Sequence, residues 1–392
     1  MKIILTQLTF IASLAFAEVP SSDLVGFASV SAYDVDTTTG GGKGKIVTVR
    51  TAKELQAAVE RSDIKKKADR EKVPLVIRVE GDIDLGELNN DIPGSVLEQV
   101  GRVLVGSNTT LEGASSDATI RHGIIEVHGG HNIIVRNLKF RDLWEEDPAG
   151  KYDRFGWDYV RISNSGKTHA HHVWIDHCDF EKAYDGLLDI THGSDLITIS
   201  WCRFAGDERG PHKKAILIGH SSSENASKVD RGYLNVTMHH CFFENIGDRA
   251  PRARFANIHL FNNVVDGAEN ATISVMNAAT FVENCVYRDC AIATTFSHAS
   301  DTVGKQRGGR LLIAGSLNLE PRAKPVIDSE REVFEIEHNF TSSCPASEFR
   351  FNDAAGWKWS DLSKVPYRYE PESAEAVVAQ VRRLAGVERV LK

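Results

Sequence analysis

The sequence predicts an all-β chain wound as one parallel β-helix, and three observations carry that prediction. Short stretches of apolar and polar alternation recur along the chain, each reading as a strand of period two. Each stretch ends on a small or polar turn residue, at Gly81, Gly113, Asn137, Cys178, Cys202, Cys241, Asn263, Cys285, Gly315 and Asn339. The gaps between these positions return to 22–24 residues and exceed that only where a turn has room for a loop, which is the spacing of a solenoid rung. Gaps too short for helical crossovers, without Asn-Gly hairpin signals, argue for a coil of parallel strands over a sandwich.

Taken in order, the chain opens with Lys2, an apolar run from Ile3 to Phe16 and the small residues Ala15 and Ala17, the pattern of a secretory signal cleaved after Ala17. Residues 1–17 are therefore set aside, and 18–392 are expected to form a single β-helix domain, secreted and monomeric. No later segment is long and apolar enough to suggest a membrane span. "TAKELQAAV" has Thr51 and Glu54 in capping-box spacing, followed by Leu55, Ala58 and Val59 on one face, and predicts a helix capping the first rung. The strands follow, from "LVIRVEGDI" at residue 75 to "FEIEHNF" at 334. "SAEAVVAQVRRLAGV" puts Ala374, Val377, Val378 and Val381 on one stripe before Gly386 and predicts a second helical cap at the far end.

Six cysteines in an exported chain are eligible for disulfides. Cys178, Cys202, Cys241 and Cys285 read first as small buried residues stacked rung on rung, although stacking also brings Cys178 and Cys202 within bridging range. Asn108, Asn225, Asn235, Asn270 and Asn339 head glycosylation tripeptides. With 46 basic and 54 acidic residues, net charge −8, the chain lacks the basic footprint of a nucleic-acid binder. Local clusters in that balance are questions about one site.

The longest excess gaps follow Asn137 and Cys202, and between them lie Asp176, Asp179, Asp185 and Asp189. Carboxylates gathered without Cys or His ligands in metal spacing point to a hard cation, Ca²⁺. In a straight strand Asp185 and Asp189 stand about 13 Å apart, so either the chain bends at Gly186 or the two serve different ions, and Asp176, one rung earlier, is placed to close the distance. His169, His171, His172 and His177 lack the spacing of a zinc site and read as turn lining. Arg249, Arg252 and Arg254 crowd around Pro251 at the edge of an apolar strand, which is unexpected in an acidic chain. Neither a nucleophile elbow nor a phosphate loop is present.

These blocks, "VWIDHCDF", "DGLLDITHGSDLITISWCRF", "HKKAILIGHSSS" and "DRAPRARFANIHLFNN", in this order and spacing, resemble the pectate lyases of the β-helix polysaccharide-lyase superfamily over nearly the whole mature chain. The resemblance implies a right-handed, single-stranded parallel β-helix that cleaves α-1,4-linked polygalacturonate by Ca²⁺-assisted β-elimination, leaving 4,5-unsaturated oligogalacturonides. On this sequence it implies Asp176, Asp185 and Asp189 as metal ligands, with Asp158 as a further acidic position. It implies Arg249 as the base, and Lys214, beside Lys213, with Arg254 as substrate-binding residues. A guanidinium is an unusual base, since it is normally always charged; Arg249 as a carboxylate clamp, with water or hydroxide as the base, is the alternative. Arg252 reads as pointing away or supporting the site. A pectin lyase acting on esterified polymer without Ca²⁺ is the rival, kept open by Trp144, Tyr152, Phe155 and Trp157 in one loop. A silent polysaccharide-binding β-helix is a second rival, but it predicts a lost motif residue and none is lost.

Overall fold

The computed structural model describes residues 23–61, 64, 67–70, 72–90, 100–150, 152, 154–164, 166, 168–206, 214–297, 308–322, 334–336, 340–353 and 364–387. The expected signal segment, Lys213 and Asn339 lie outside them. Each rung of the coil has three sides. Ten strands from Lys45–Val49 to Arg310–Ala314 pair in chain order as the first stack. A second stack runs from Asp82–Asp84 through Lys139–Arg141, Asp179–Glu181 and Phe242–Asp248 to Leu317–Leu319. A third comprises Gly101–Leu104, Gly123–His128, Val160–Ser163, Leu188–Ile190, Ile216–Ile218 and Arg252–Arg254. The long strand Val264–Val275 bends from the second stack into the third. Every described pairing within the stacks is parallel, as the short gaps required.

Parallel register turns each sequence position into a column. Inside the second stack Phe140, Phe180, Phe204 and Phe243 lie ring on ring, with centroids 4.7, 5.0 and 5.0 Å apart. The corner between the first and second stacks has a left-handed residue at Asn137, His177, Trp201, His240, Asn262, Asn284 and Gly315, with φ between 46° and 58°. Their successors Leu138, Cys178, Cys202, Cys241, Asn263, Cys285 and Ser316 follow one another up this corner. There the N–H of Cys241 donates to Asn263 Oδ1 (2.9 Å) and that of Cys285 to Ser316 Oγ (3.0 Å). The N–H groups of Cys178 and Asn263 donate to the sulfurs of Cys202 and Cys285, both at 3.4 Å. A corner N–H that leaves the strand ladder needs an acceptor, and the side chain of the next rung supplies it. The expected column is therefore in register from Cys178 to Cys285, whereas Asn137 and Gly315 belong to the left-handed column one position earlier. All six cysteines are buried and free, so no bridge joins Cys178 to Cys202.

The outer face of the first stack is covered by chain. Thr110, Thr198 and Thr237 accept backbone N–H groups of Gly41, Ala28 and Phe27, and Tyr367 bonds Thr237 and His259 at 2.7 Å. On the same face Arg78, Glu112 and Arg136 stand in register, with Glu112 accepting paired hydrogen bonds from both arginines. Burial opposes the charge on Glu112, but the bonds and charges of Arg136 and Arg78 outweigh it and hold the carboxyl below its ordinary range.

The first helix, Ala52–Glu60, is capped by Thr51 Oγ1, which accepts the Glu54 N–H (3.2 Å), and it buries Leu55 in the core. The Glu54 side chain reaches the Arg50 N–H, one residue before the cap. The C-terminal helix, Ala374–Leu384, does not close the far end. Its Ala374, Val377 and Val381 pack on the outward column Phe242, Val264 and Val286, which offers this stripe an apolar flank. The last rungs are instead approached by the antiparallel pair Phe334–Ile336 and Phe340–Ser342, with Phe340 entering the core. Of the glycosylation tripeptides, Asn235 is fully buried and Asn225 exposed.

Two measurements check these assignments. Native protein should leave its thiols unreactive to an aromatic disulfide reagent, and denaturant should release six; a lower count would reveal a disulfide. Glu112→Gln should destabilise by about 1–2 kcal/mol at neutral pH. Because the folded pKa is depressed, this stabilisation is present above the unfolded value and lost as pH falls through the folded one, so the two proteins should converge in stability only below the ordinary carboxylate range.

Candidate active site

The entries to the third stack lie rung over rung, at Trp157–Asp158, Asp185–Gly186, Lys214–Ala215, Asp248–Arg249 and Asn270–Ala271. Backbone bonds tie them in that order: Asp185 N to Trp157 O (3.2 Å), Leu187 N to Ala215 O (2.9 Å), Ala215 N to Asp248 O (2.9 Å) and Arg249 N to Asn270 O (3.2 Å). The strands that follow are only three or four residues long. Within them Glu126, Arg161, Asp189, Leu217 and Arg252 form one column, facing out between the core positions Ile125 and Val127, Val160 and Ile162, Leu188 and Ile190, and Ile216 and Ile218.

Asp158 lies beneath this surface, 2% exposed. Its Oδ1 accepts the Gly186 N–H at 2.8 Å, and Arg161 Nε approaches Oδ2 at 3.4 Å. A Cβ at Gly186 would stand 2.7 Å from Asp158 Oδ1, so only glycine lets the chain pass so close. The chain bends at Tyr184, Asp185 and Leu187, on either side of Gly186, and the strand begins only at Leu188. Burial, then the charges of Asp189 and Asp185, push the Asp158 carboxyl well above its ordinary range. Burial, with Asp185 adding to it against Arg249, Arg161 and Lys214, raises Asp189 to about 6. Asp189 Oδ1 is buried with no hydrogen-bond partner among the described residues. Lys214 Nζ meets Asp185 Oδ1 at 2.6 Å.

The arginines divide. Arg249, at φ 74°, has its Nε buried and unbonded, 3.9 Å from Asp248 Oδ2. Arg252 bonds the same carboxylate oxygen at 3.5 Å and shares the outward column of Asp189, so it supports this face and does not point away. Arg254, nearly buried, gives Nη1 to the Gly219 carbonyl at 2.8 Å.

Asp185, Asp189, Lys214 and Arg249 are thus brought together, and Asp176 is not. Asp176 stands on the first stack, in register between Arg136 and Ser200, with its carboxylate bonded to Ser200 Oγ (2.5 Å) and His177 Nδ1 (2.9 Å). It continues the charge column of Arg78, Glu112 and Arg136, and the place expected for it among the acids is held by Asp158. Asp179 is likewise engaged elsewhere, by Arg141 and Arg203 on the second stack. The aromatic loop packs around buried Tyr184, with Tyr152 and Trp157 buried and Trp144 and Phe155 partly so. His171 and His172 bond one another through Nδ1 at 2.9 Å, and His172 Nε2 bonds the Val30 carbonyl.

Among the described residues no three His, Cys, Asp or Glu side chains are disposed to hold a metal by themselves, because Asp185 is turned to Lys214. The chemistry of the site nevertheless suits a hard cation. An unpartnered buried oxygen on Asp189 and three mutually repelling carboxylates make a donor set that lacks positive charge.

A family model described as pectate lyase matches residues 1–389. Among curated proteins, the pectate trisaccharide-lyase of Thermotoga maritima is 37% identical over 241 residues, covering 61% of this chain and 56% of that one. Pectate lyase B of Paenibacillus amylolyticus is 32% identical over 257 residues, covering 50% and 63%. The match thus spans less than two thirds of the length of these relatives. Among solved structures, pectate lyase PelN from Paenibacillus sp. 0602 superposes with TM-score 0.69 at 24% identity over 93% of this chain and 95% of that one. Pectate lyase Bsp165PelA from Bacillus sp. N165, solved in complex with trigalacturonate, gives 0.65 at 22% identity over 93% and 99%.

In metal-free buffer, Asp158→Asn should raise the melting temperature by roughly 1–3 °C at neutral pH. The amide keeps the acceptor for Gly186 and removes a carboxyl whose raised pKa destabilises the fold wherever the unfolded group is ionised. Calorimetry with chelator present checks this, and a lowered melting point would count against a repulsive cluster.

Proposed function

The chain belongs to the pectate lyase family, and from that premise we propose that it is a secreted lyase cleaving α-1,4-linked polygalacturonate by Ca²⁺-dependent β-elimination. The observation that carries this reading is the succession of Asp158, Asp185, Lys214 and Arg249 at the entries of adjacent rungs, with Asp189 beside them.

The reaction removes the proton on C5, α to the uronate carboxylate, and its electron pair forms the C4–C5 double bond as the C4–O4 bond breaks. O4 departs with a proton, leaving a 4,5-unsaturated sugar. Asp158, Asp185 and Asp189 would hold the cation, in place of the set containing Asp176. Bound there, Ca²⁺ supplies positive charge against which negative charge growing on the uronate carboxylate is stabilised. Lys214, now paired with Asp185, exchanges that partner for a uronate carboxylate when the polymer docks. Arg254, with Nη1 on the Gly219 carbonyl, would set its guanidinium charge against another carboxylate. Arg249, in its neutral form, accepts the C5 proton; its Nε is buried without a hydrogen bond, whereas Arg252 hydrogen-bonds Asp248. Tyr152 and Trp157 of the aromatic loop are spent on packing around Tyr184, which gives no support to the esterified polymer as the preferred substrate.

Incubation with polygalacturonate and Ca²⁺ should produce the ultraviolet absorbance of an unsaturated uronate, abolished by excess chelator. No absorbance in Ca²⁺ sinks the lyase reading, and chelator-resistant activity points to a pectin lyase. Arg249→Lys should reduce kcat by about 10²–10⁴-fold with the fold intact. Asp158→Asn should weaken Ca²⁺ binding by calorimetry, while Asp176→Asn should leave it unchanged and lower only stability.

A further inference from the structure

Segments near both termini are fastened along the two edges of the first stack, and a pair of neighbouring histidines stands at each edge. Asn132 and His172 are the second residues of the strands His131–Arg136 and His171–Asp176, and both have a left-handed backbone, at φ 54° and 53°. Asn132 Oδ1 accepts the N–H groups of Thr39 (2.7 Å) and Gly40 (2.8 Å), and His172 Nε2 bonds the Val30 carbonyl at 2.8 Å. Beside it, Nδ1 of His171 meets Nδ1 of His172 at 2.9 Å. At the other edge His240, Asn262 and Asn284 are left-handed as well. The two asparagines hold the Glu372 backbone: Asn262 Nδ2 (2.7 Å) and Asn284 Nδ2 (2.8 Å) donate to its carbonyl, and Asn262 Oδ1 accepts its N–H (3.0 Å). His240 Nε2 bonds the Glu372 carboxylate at 3.0 Å, and its Nδ1 meets Nδ1 of His239 at 3.0 Å.

Two ring nitrogens at this distance are held by one proton, donated by one ring to the lone pair of the other; with two protons, N–H faces N–H and the bond is lost. At the first edge the acceptors fix which ring donates. A carbonyl only accepts, so His172 Nε2 carries a proton, and in the neutral ring its Nδ1 has the lone pair that receives the Nδ1–H of His171. We propose that the two histidine pairs are proton-operated clasps, which hold the terminal segments on the first stack while each pair shares one proton and release them when each takes up a second. Burial, then the charges of His172, His131 and His169, lowers His171 to about 3, and Tyr33, whose ring lies beside it, is tied to Asp195. Burial lowers His172 to about 4, with the Val30 bond opposing and His131 adding to it. Burial, then the charges of His240, His259 and His177, holds His239 well below the ordinary histidine range, while Glu372 lies against His240, and Glu283 and Tyr367 against His259. A histidine whose folded pKa is depressed favours the closed form above its unfolded value, and that preference is lost progressively as pH falls beneath it.

Hydrogen exchange read by mass spectrometry and corrected for the intrinsic rate at each pH tests this on the whole chain, without substrate or cation. Between about pH 6.5 and pH 4.5 the protection of residues 27–41 and 367–373 should fall at least roughly tenfold per pH unit. The strand Asn257–Phe261, inside the first stack, should keep its protection. His171→Asn places an amide oxygen or nitrogen where Nδ1 stood, so the side chain can donate to a neutral His172 and accept from a charged one. In that variant residues 27–41 should stay protected through the same range while 367–373 still lose protection, and His239→Asn should do the converse. Terminal segments that stay as protected as Asn257–Phe261 throughout overturn the proposal, as does a loss that the matching variant leaves at the wild-type slope. Should a variant fail to fold, imidazole ¹⁵N spectra of the wild-type chain decide: protection lost together with proton uptake by the paired histidines supports the clasps, and protection lost while both pairs stay neutral overturns them.

Discussion

The parallel hydrogen-bond ladder between rungs is the constraint on which everything else depends. It holds successive rungs about 4.8 Å apart and in register, so a residue type chosen at one position faces the residue at the same position above and below. Inside the coil this favours like on like, because apolar groups gain from stacking: phenylalanine on phenylalanine in the second stack, cysteine on cysteine at the corner. Outside, like charges in register repel. The exposed columns accordingly alternate in sign, as Arg78, Glu112 and Arg136 do, or draw partners from nearby strands, as Asp179 does from Arg141 and Arg203.

The entries to the third stack break that pattern. Asp158, Asp185 and Asp189 meet with part of their charge uncompensated, and the rise in two of their pKa values is the physical trace of the conflict. Where Glu112 and Asp179 each draw two arginines, these three share Lys214, Arg161 and Arg249 and stay short of positive charge. Sites that bind and react are drawn from such locally unfavourable arrangements, because only an unsatisfied group has something to gain from a ligand.

Which face carries the site follows from what covers the others. Described segments near both termini lie across the threonine column of the first stack, and the C-terminal helix takes the flank of the second stack around Phe242. None of these described segments is bonded to the column from Glu126 to Arg252. That column keeps its charged side chains, while Asp176, chemically the same as its relatives, stands under covered chain and serves the register.

The sequence by itself determined the coil, because alternation and a 22–24-residue period are local properties that survive without knowing what packs on what. It also determined the corner column from Cys178 to Cys285, the first helix, and the residue types at Asp185, Asp189, Lys214 and Arg249. The third stack was not legible: strands such as Leu188–Ile190 and Arg252–Arg254 are too short to show a period, and two of them are interrupted by charge. With that stack missing, Asp176 could be placed beside Asp185 by counting rungs, although the two lie on different sides of the coil. Only the tertiary structure decided that Asp158 joins the acids, that Arg252 shares their face, and that the C-terminal helix lies on the flank. Those relations depend on which side of a rung each residue occupies, and a side is set by corners whose positions a single sequence does not reveal.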